Sequence, residues 1–286
     1  MGGSTARGRN SCLRRALPGT LGLWVCAGAA AADEVLPFRE AWGWAAVVPV
    51  QVEGRGPYEL LVDTGATFSV LDPALAAELG VGAVGPATRL TLAGEDEVEL
   101  ARVRLGLGTA SLDEVQVLVA AVPAIQADQP RIRGLLGQSA LSRLAYTIDH
   151  ERRRLVLHGS ADASARARPA PGRPTLEVRL GCGKRPPSRF VLDSGVPAPV
   201  LFQRAGRPLD VEHRGLVRAA TNGGAAFWRE GRIASLCVAG RRTGPHPVVV
   251  RPETGDGREE DGLLPTRLFA RVRVDPAGAV VDLVPW

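Results

Sequence analysis

Hydrophobic residues along this chain fall in short runs, alternating or continuous, and most runs are closed by glycine or proline. That spacing fits β-strands, whereas the three- and four-residue recurrence of a helix is rare. Residues 45–52 and 58–62, joined by Glu53-Gly54-Arg55-Gly56-Pro57, read as a hairpin. Residues 176–180 and 189–192, joined through Gly181-Cys182-Gly183 and Pro186-Pro187, read as another. Further strands are expected at 88–92, 98–105, 115–119 and 155–157, with counterparts at 216–220, 226–233, 248–250 and 280–283. One short helix is predicted over 73–79, with Asp72 as N-cap, Pro73 at its first position and Gly80 as stop. The pattern describes an all-β protein.

Both hairpins run into the same short phrase. Leu60-Leu61-Val62-Asp63-Thr64-Gly65 is echoed 130 positions later by Phe190-Val191-Leu192-Asp193-Ser194-Gly195. Gly134-Leu135-Leu136 begins 71 positions after Asp63, and Gly262-Leu263-Leu264 begins 69 after Asp193. A lone Asp-Thr-Gly or Asp-Ser-Gly is an ordinary turn. Two copies, each with a partner at nearly constant offset, imply a duplicated unit. The first lobe then covers residues 35–158 and the second 175–286. Between them, 159–174 is dense in Ala, Arg, Pro and Ser without apolar period, and reads as a linker. The acid-rich stretch 252–261 reads as a solvated surface loop.

Charge changes the picture once the start of the chain is set aside. Arg7, Arg9, Arg14 and Arg15 precede an apolar stretch that closes on Ala30-Ala31-Ala32, so residues 1–32 read as a signal peptide. Those four arginines belong to 35 basic residues set against 30 acidic ones, so the formal charge falls from +5 to +1 when they leave. A nearly neutral mature chain gives no reason to expect nucleic acid as a partner. No stable membrane span is expected after signal removal, and the protein is expected to be exported, periplasmic or secreted. Cys182 and Cys237 either form one disulfide there or stand as two buried thiols.

Candidate chemistry comes down to the two aspartates. Two carboxyls a few Å apart cannot both ionise cheaply, so such a pair keeps one shared proton. The ionised partner can take a proton from a bridging water while the other donates to a substrate carbonyl. Neither metal nor cofactor is needed. His150, His158, His213 and His246 show no metal-ligand spacing. Gly137-Gln138-Ser139-Ala140-Leu141 lacks the last glycine of a nucleophile elbow. Gly106-Leu107-Gly108 lacks the third glycine of a dinucleotide loop.

The phrase Leu61-Val62-Asp63-Thr64-Gly65-Ala66-Thr67, followed by Gly134-Leu135-Leu136-Gly137 and Tyr146-Thr147-Ile148-Asp149, resembles retropepsin-like and pepsin-like aspartic proteases, in particular the bacterial exported aspartyl-protease family. The resemblance implies a bilobal, pseudo-two-fold β-barrel fold in a single chain and aspartic-type endopeptidase activity. Asp63 and Asp193 would be the catalytic dyad, and Thr64 and Ser194 the hydroxyls that bond across the pseudo-two-fold. Gly65 and Gly195 would let each loop turn sharply, and Leu135-Leu136 and Leu263-Leu264 would lie behind the loops. An extended peptide or protein substrate and a monomeric enzyme follow, since both aspartates lie in one chain. Hairpin tips near Gly94 and at Asn222-Gly223 are flap candidates, with Phe227 and Trp228 as either a substrate wall or core residues.

The second copy departs from the pattern. Val196-Pro197-Ala198-Pro199 stands where the first has Ala66-Thr67-Phe68-Ser69, and Pro265 replaces Gly137. A non-catalytic peptide-binding protein on the same scaffold is therefore the alternative reading. Neither Ala66 nor Val196 has a side chain able to donate to its aspartate, which points to a dyad that works nearer neutral pH than in pepsins.

Overall fold

The two aspartate-bearing strands explain the architecture, because each is apolar on both faces. The computed structural model describes residues 33–158, 172–181, 186–206, 209–221, 224–253, 258–276 and 280–286. In the strand Arg55–Val62, Leu60 and Val62 point into one core while Leu61 points into another. In Ser188–Asp193, Phe190 and Leu192 enter that same first core, and Val191 enters a third. Continuous apolar runs are what a strand covered on both faces requires. Each such side chain contributes roughly 1.5–3 kcal/mol on burial.

Among the described residues the strands form three sheets. The first lobe holds eight strands, in which Arg55–Val62 lies parallel to Ile132–Leu136 and Ser69–Leu71 lies antiparallel to it on the other side. The second lobe repeats this motif in a nine-stranded sheet, with Ser188–Asp193 parallel to Gly262–Pro265 and Val200–Phe202 beyond. Leu61 pairs with Leu135, and Val191 pairs with Leu263, so the two Gly-Leu-Leu segments stand directly beside the strands that end in aspartate. The fold is all-β and bilobal, as the repeat requires.

The expected hairpins form, with Ala45–Val52 against Arg55–Val62 and Thr175–Leu180 against Ser188–Asp193. The helix Pro73–Leu79 forms as well; Asp72 Oδ1 accepts from Leu75 N at 2.9 Å, and Gly80 closes it in the left-handed region at φ 68°. The third sheet contains the expected strands at 155–157 and 280–283, but its pairing across the two halves has no local sequence signal. Ala145–Asp149 of the first half pairs with Arg271–Asp275 of the second, and the strands Glu34–Pro37, Arg154–His158 and Val280–Val284 complete it. This sheet binds the lobes together below the aspartate loops. Among the described residues no helix is long and apolar enough to cross a membrane.

The stretch 252–261 is not simply a solvated loop. Glu260 and Asp261 are largely shielded and pair with Arg173 and Arg204. A buried carboxylate needs such a partner, so Glu260 and Asp261 hold the end of this segment against the lobe.

Candidate active site

Asp63 and Asp193 sit at the ends of their strands, 7% and 6% exposed. The next residue on each side ties the two loops together through four buried hydrogen bonds. Thr64 N donates to Ser194 Oγ, and Ser194 N donates to Thr64 Oγ1, both at 3.0 Å. Each hydroxyl in turn donates across the junction, Thr64 Oγ1 to Leu192 O and Ser194 Oγ to Val62 O, both at 2.7 Å. A hydroxyl is the smallest group that can accept and donate at once, which is why Thr and Ser occupy these positions.

The glycines that follow are required by close approach. A Cβ on Gly65 would overlap Asp193 Oδ2 and stand 2.8 Å from its Oδ1. A Cβ on Gly195 would stand 3.0 Å from Asp63 Oδ1 and 3.1 Å from Asp193 Oδ1. Each loop's glycine therefore backs onto the other loop's carboxyl group, which brings the two carboxyls together.

The pair is not symmetric. Asp63 Oδ1 accepts from the N–H groups of Gly65 and Ala66, each at 3.0 Å, whereas Asp193 Oδ1 accepts from Gly195 N at 2.6 Å. Burial, and then the charge of Asp63, push the Asp193 carboxyl well above the usual carboxylate range; the Gly195 N–H and the nearby Arg173 cation oppose them. N–H donors favour the ionised form, so the geometry puts the negative charge on Asp63 and the proton on Asp193.

Around the first loop, side chains that the sequence did not single out complete the support. Gln138 Nε2 donates to Thr64 O at 2.9 Å, Gly137 N donates to Ser69 Oγ at 3.0 Å, and Ser69 N donates to Ser139 Oγ at 2.9 Å. The signal for them was their place: all three polar side chains lie within or beside the motifs repeated in the second lobe.

The dyad opens into a cleft of about 310 Å³. Phe68, Val70, Leu118 and Leu135 give it an apolar side in the first lobe. Thr88 to Leu92, on the hairpin made by Ala83–Leu90 and Glu95–Leu107, line it from above. Gly94 lies in the turn of that hairpin, beyond the cleft-lining residues, where its carbonyl accepts from Thr91 N at 2.8 Å. Two second-lobe arginines hold the hairpin: Arg251 Nε donates to Leu92 O and Arg258 Nη2 to Thr91 O, each at 3.0 Å. Leu92 also packs against the second-lobe core of Val191, Phe202, Trp228 and Leu263.

The corresponding second-lobe hairpin, Glu212–Thr221 with Gly224–Ile233, has its tip at Asn222-Gly223, outside the described residues. Phe227 and Trp228 do not form a wall of the cleft. They alternate across one strand, so Trp228 is buried in the second-lobe core at 5% exposure while Phe227 faces solvent at 70%.

Arg89, Arg173 and Arg258 also line the cleft, and none was expected there. Arg173 and Pro174 sit in a stretch whose composition reads as linker. Pro174 O accepts from Leu192 N at 2.8 Å, which carries Arg173 to a place opposite Asp193. Among the described residues, no group of three or more His, Cys, Asp or Glu side chains is arranged to hold a metal.

Residues 48–140 match the aspartyl protease family model. The crystal structure of an aspartic proteinase from Irpex lacteus superposes with a TM-score of 0.51 at 12% identity, over 89% of this chain and 97% of that one. No curated protein matches the chain. The chain is thus aspartic-protease-like: its first lobe carries the aspartyl protease family match, and both lobes together carry the aspartic proteinase fold.

Proposed function

We propose that the protein is an exported aspartic endopeptidase that hydrolyses peptide bonds with a water activated between Asp63 and Asp193. The observation that carries this reading is the buried carboxyl pair, brought together by the two glycine loops, in a cleft with one apolar side. Asp63, with two N–H donors, is the base that takes a proton from water as its oxygen attacks the substrate carbonyl carbon. Asp193 gives its proton to the carbonyl oxygen, forming a neutral tetrahedral diol. Collapse of that diol breaks the C–N bond; the amine nitrogen leaves with a proton from Asp63, and Asp193 regains one from the diol. An extended peptide fits a cleft bordered by strand edges.

Export is supported by the arginine-led apolar segment at residues 1–32 and by Cys237, which is disulfide-bonded to a partner outside the described residues. A monomer suffices, because one chain supplies both aspartates. Digestion of a peptide library by wild type, Asp63→Asn and Asp193→Asn tests the assignment. Cleavage by wild type that is lost in both variants is the expected result. A wild type that binds peptides but cuts none from pH 3 to pH 8 would mark a non-catalytic peptide-binding protein.

A further inference from the structure

We propose that the cleft selects peptides bearing a carboxylate side chain next to the scissile bond, and that the guanidinium of Arg173 receives it. This rests on the proteolytic reading of the dyad and names the substrate class for that site.

Among the described residues the lining of the cleft carries three arginines, and its acids are the two aspartates, which share one proton. Asp96 and Glu260 stand behind their arginines, outside the lining. The three cations are not equally occupied. Arg89 is the most engaged: Nε and Nη2 go to the two oxygens of Asp96 at 2.9 and 2.5 Å, and Nη1 goes to Ala121 O at 3.1 Å. Arg258 spends Nη2 on the hairpin carbonyl of Thr91 and lies over the Phe202 ring at 5.9 Å. Arg173 is tied back through Nη2 to Glu260 Oε1, on one edge of a planar group with five N–H donors. Its side chain is 21% exposed, so the remaining donors belong to a largely desolvated cation with access to the cleft. There a carboxylate can form the two-pronged contact that a guanidinium favours.

The position is specific to one lobe. Thr175 pairs with Val191, and continuing that register puts Arg173 opposite Asp193. Val47 pairs with Leu61, and the same extension puts Ala45, fully buried, opposite Asp63. The duplicated site therefore has alanine where the other half has a cation. The apolar side formed by Phe68, Val70, Leu118 and Leu135 lies in the first lobe, whose one lining cation, Arg89, is neutralised by Asp96, while Arg173 stands beside the second aspartate strand. A substrate laid across the dyad meets them on opposite sides of the bond to be cut, so one flanking residue is apolar and the other acidic.

The test uses pairs of peptides that differ only by Glu against Gln, or Asp against Asn, at each position flanking the cleavage site, at pH 6.5. For wild type the acidic member should be favoured in kcat/KM by about tenfold or more, the scale of a charged hydrogen bond in a shielded site. Because the ratio is taken within one protein, a change in dyad titration or folded fraction cancels. Arg173→Met should bring the ratio to about one, and Arg173→Lys should retain part of it. Glu260→Gln, which leaves Arg173 without its internal partner, should raise the ratio. It is the second variant should Arg173→Met not fold. The same peptide pairs, labelled and titrated against Asp63→Asn by fluorescence anisotropy, give a binding ratio that needs no cleavage. Cleavage without acidic preference overturns the proposal and leaves the protease. Preferential binding of acidic peptides without cleavage by wild type keeps the acidic site and removes the protease. A preference that survives Arg173→Met overturns the role of Arg173.

Discussion

The loops that carry Asp63 and Asp193 begin alike and are held by different means. The first is fixed from within its lobe: Ser69, Gln138 and Ser139 bond the loop and the turn behind it. In the second, Pro199 stands at the position of Ser69, Pro265 at that of Gly137 and Thr266 at that of Gln138. Prolines bring no N–H, and the Thr266 hydroxyl is engaged with His150 Nε2 at 3.0 Å instead. Beyond its strand pairing, the Asp193 loop therefore has fewer side-chain bonds within its own lobe and leans on its bonds to the first loop. One lobe acts as the template, and the other is shaped against it.

The two glycines, disturbed in turn, separate the loops most clearly. A methyl group on Gly65 has nowhere to go except into the Asp193 carboxyl, whereas one on Gly195 needs only a small adjustment. Gly65→Ala should lower kcat/KM by more than about 100-fold, and Gly195→Ala by about tenfold, since displacement of catalytic groups by about 1 Å costs that much. Circular dichroism should show both variants folded. Equal losses would mean that the two loops share their rigidity evenly.

The reciprocal bonds of Thr64 and Ser194 come next. Thr64→Val and Ser194→Ala each leave buried carbonyl and N–H groups without partners, at about 2–4 kcal/mol of unfolding free energy. The double variant should cost less than the two single losses together by about 1–3 kcal/mol, because they remove the same network. Urea unfolding of the four proteins measures this. Simple additivity would sink the idea that the second loop depends on the first.

How far the sequence disclosed this arrangement depends on where each signal lies. The aspartate strands, their hairpins and the capped helix were legible because burial on both faces leaves continuous apolar runs, and because Asp72, Pro73 and Gly80 act locally. The arm Glu95–Leu107 begins earlier than its apolar pattern suggests. Its first residues pair with Leu90, Arg89 and Thr88 in a partly solvated ribbon, where no core imposes a period. The sheet joining the lobes escaped notice because the pairing of Tyr146 with Val274 is set by tertiary packing alone. Arg173 and Glu260 were misread for a related reason. Composition marks their segments as linker and surface, and only their mutual contact turns them into part of a site.

The junction of the lobes supplies a test by pH. His150 is buried, and its Nδ1 has no partner among the described residues. Burial, followed by the charge of Arg267, brings its pKa from 6.5 down to about 4, against the opposing charges of Glu40 and Asp149. Its folded-state pKa lies below the unfolded one, so the stability it contributes is complete above pH 6.5 and is lost as pH falls toward 4. The full swing is about 3 kcal/mol. Wild type should lose about 2–3 kcal/mol more than His150→Gln when chemical unfolding is moved from pH 7 to pH 4.5. Equal losses would remove His150 from the acid response. A junction that weakens in mild acid suits an enzyme working nearer neutrality.

The smallest effect concerns Arg173, the charge present opposite one aspartate and absent opposite the other. Asp193 is pushed upward by burial and by Asp63, and the Arg173 cation acts against both. Removing that cation destabilises the ionised form of Asp193, so the dyad keeps its one shared proton to higher pH. In Arg173→Met the alkaline limb of the kcat/KM profile, measured with a neutral peptide, should move toward higher pH. The change at any one pH should stay below about tenfold. The equivalent change in the other lobe, Ala45→Val, adds bulk but no charge and should leave the limb where it was. Wild type itself should be most active nearer neutral pH than pepsins, because neither Ala66 nor Val196 offers a side-chain donor to the ionised pair. An optimum at or below pH 3 would contradict that placement of the dyad, and an unmoved limb in Arg173→Met would mean that its charge does not reach Asp193.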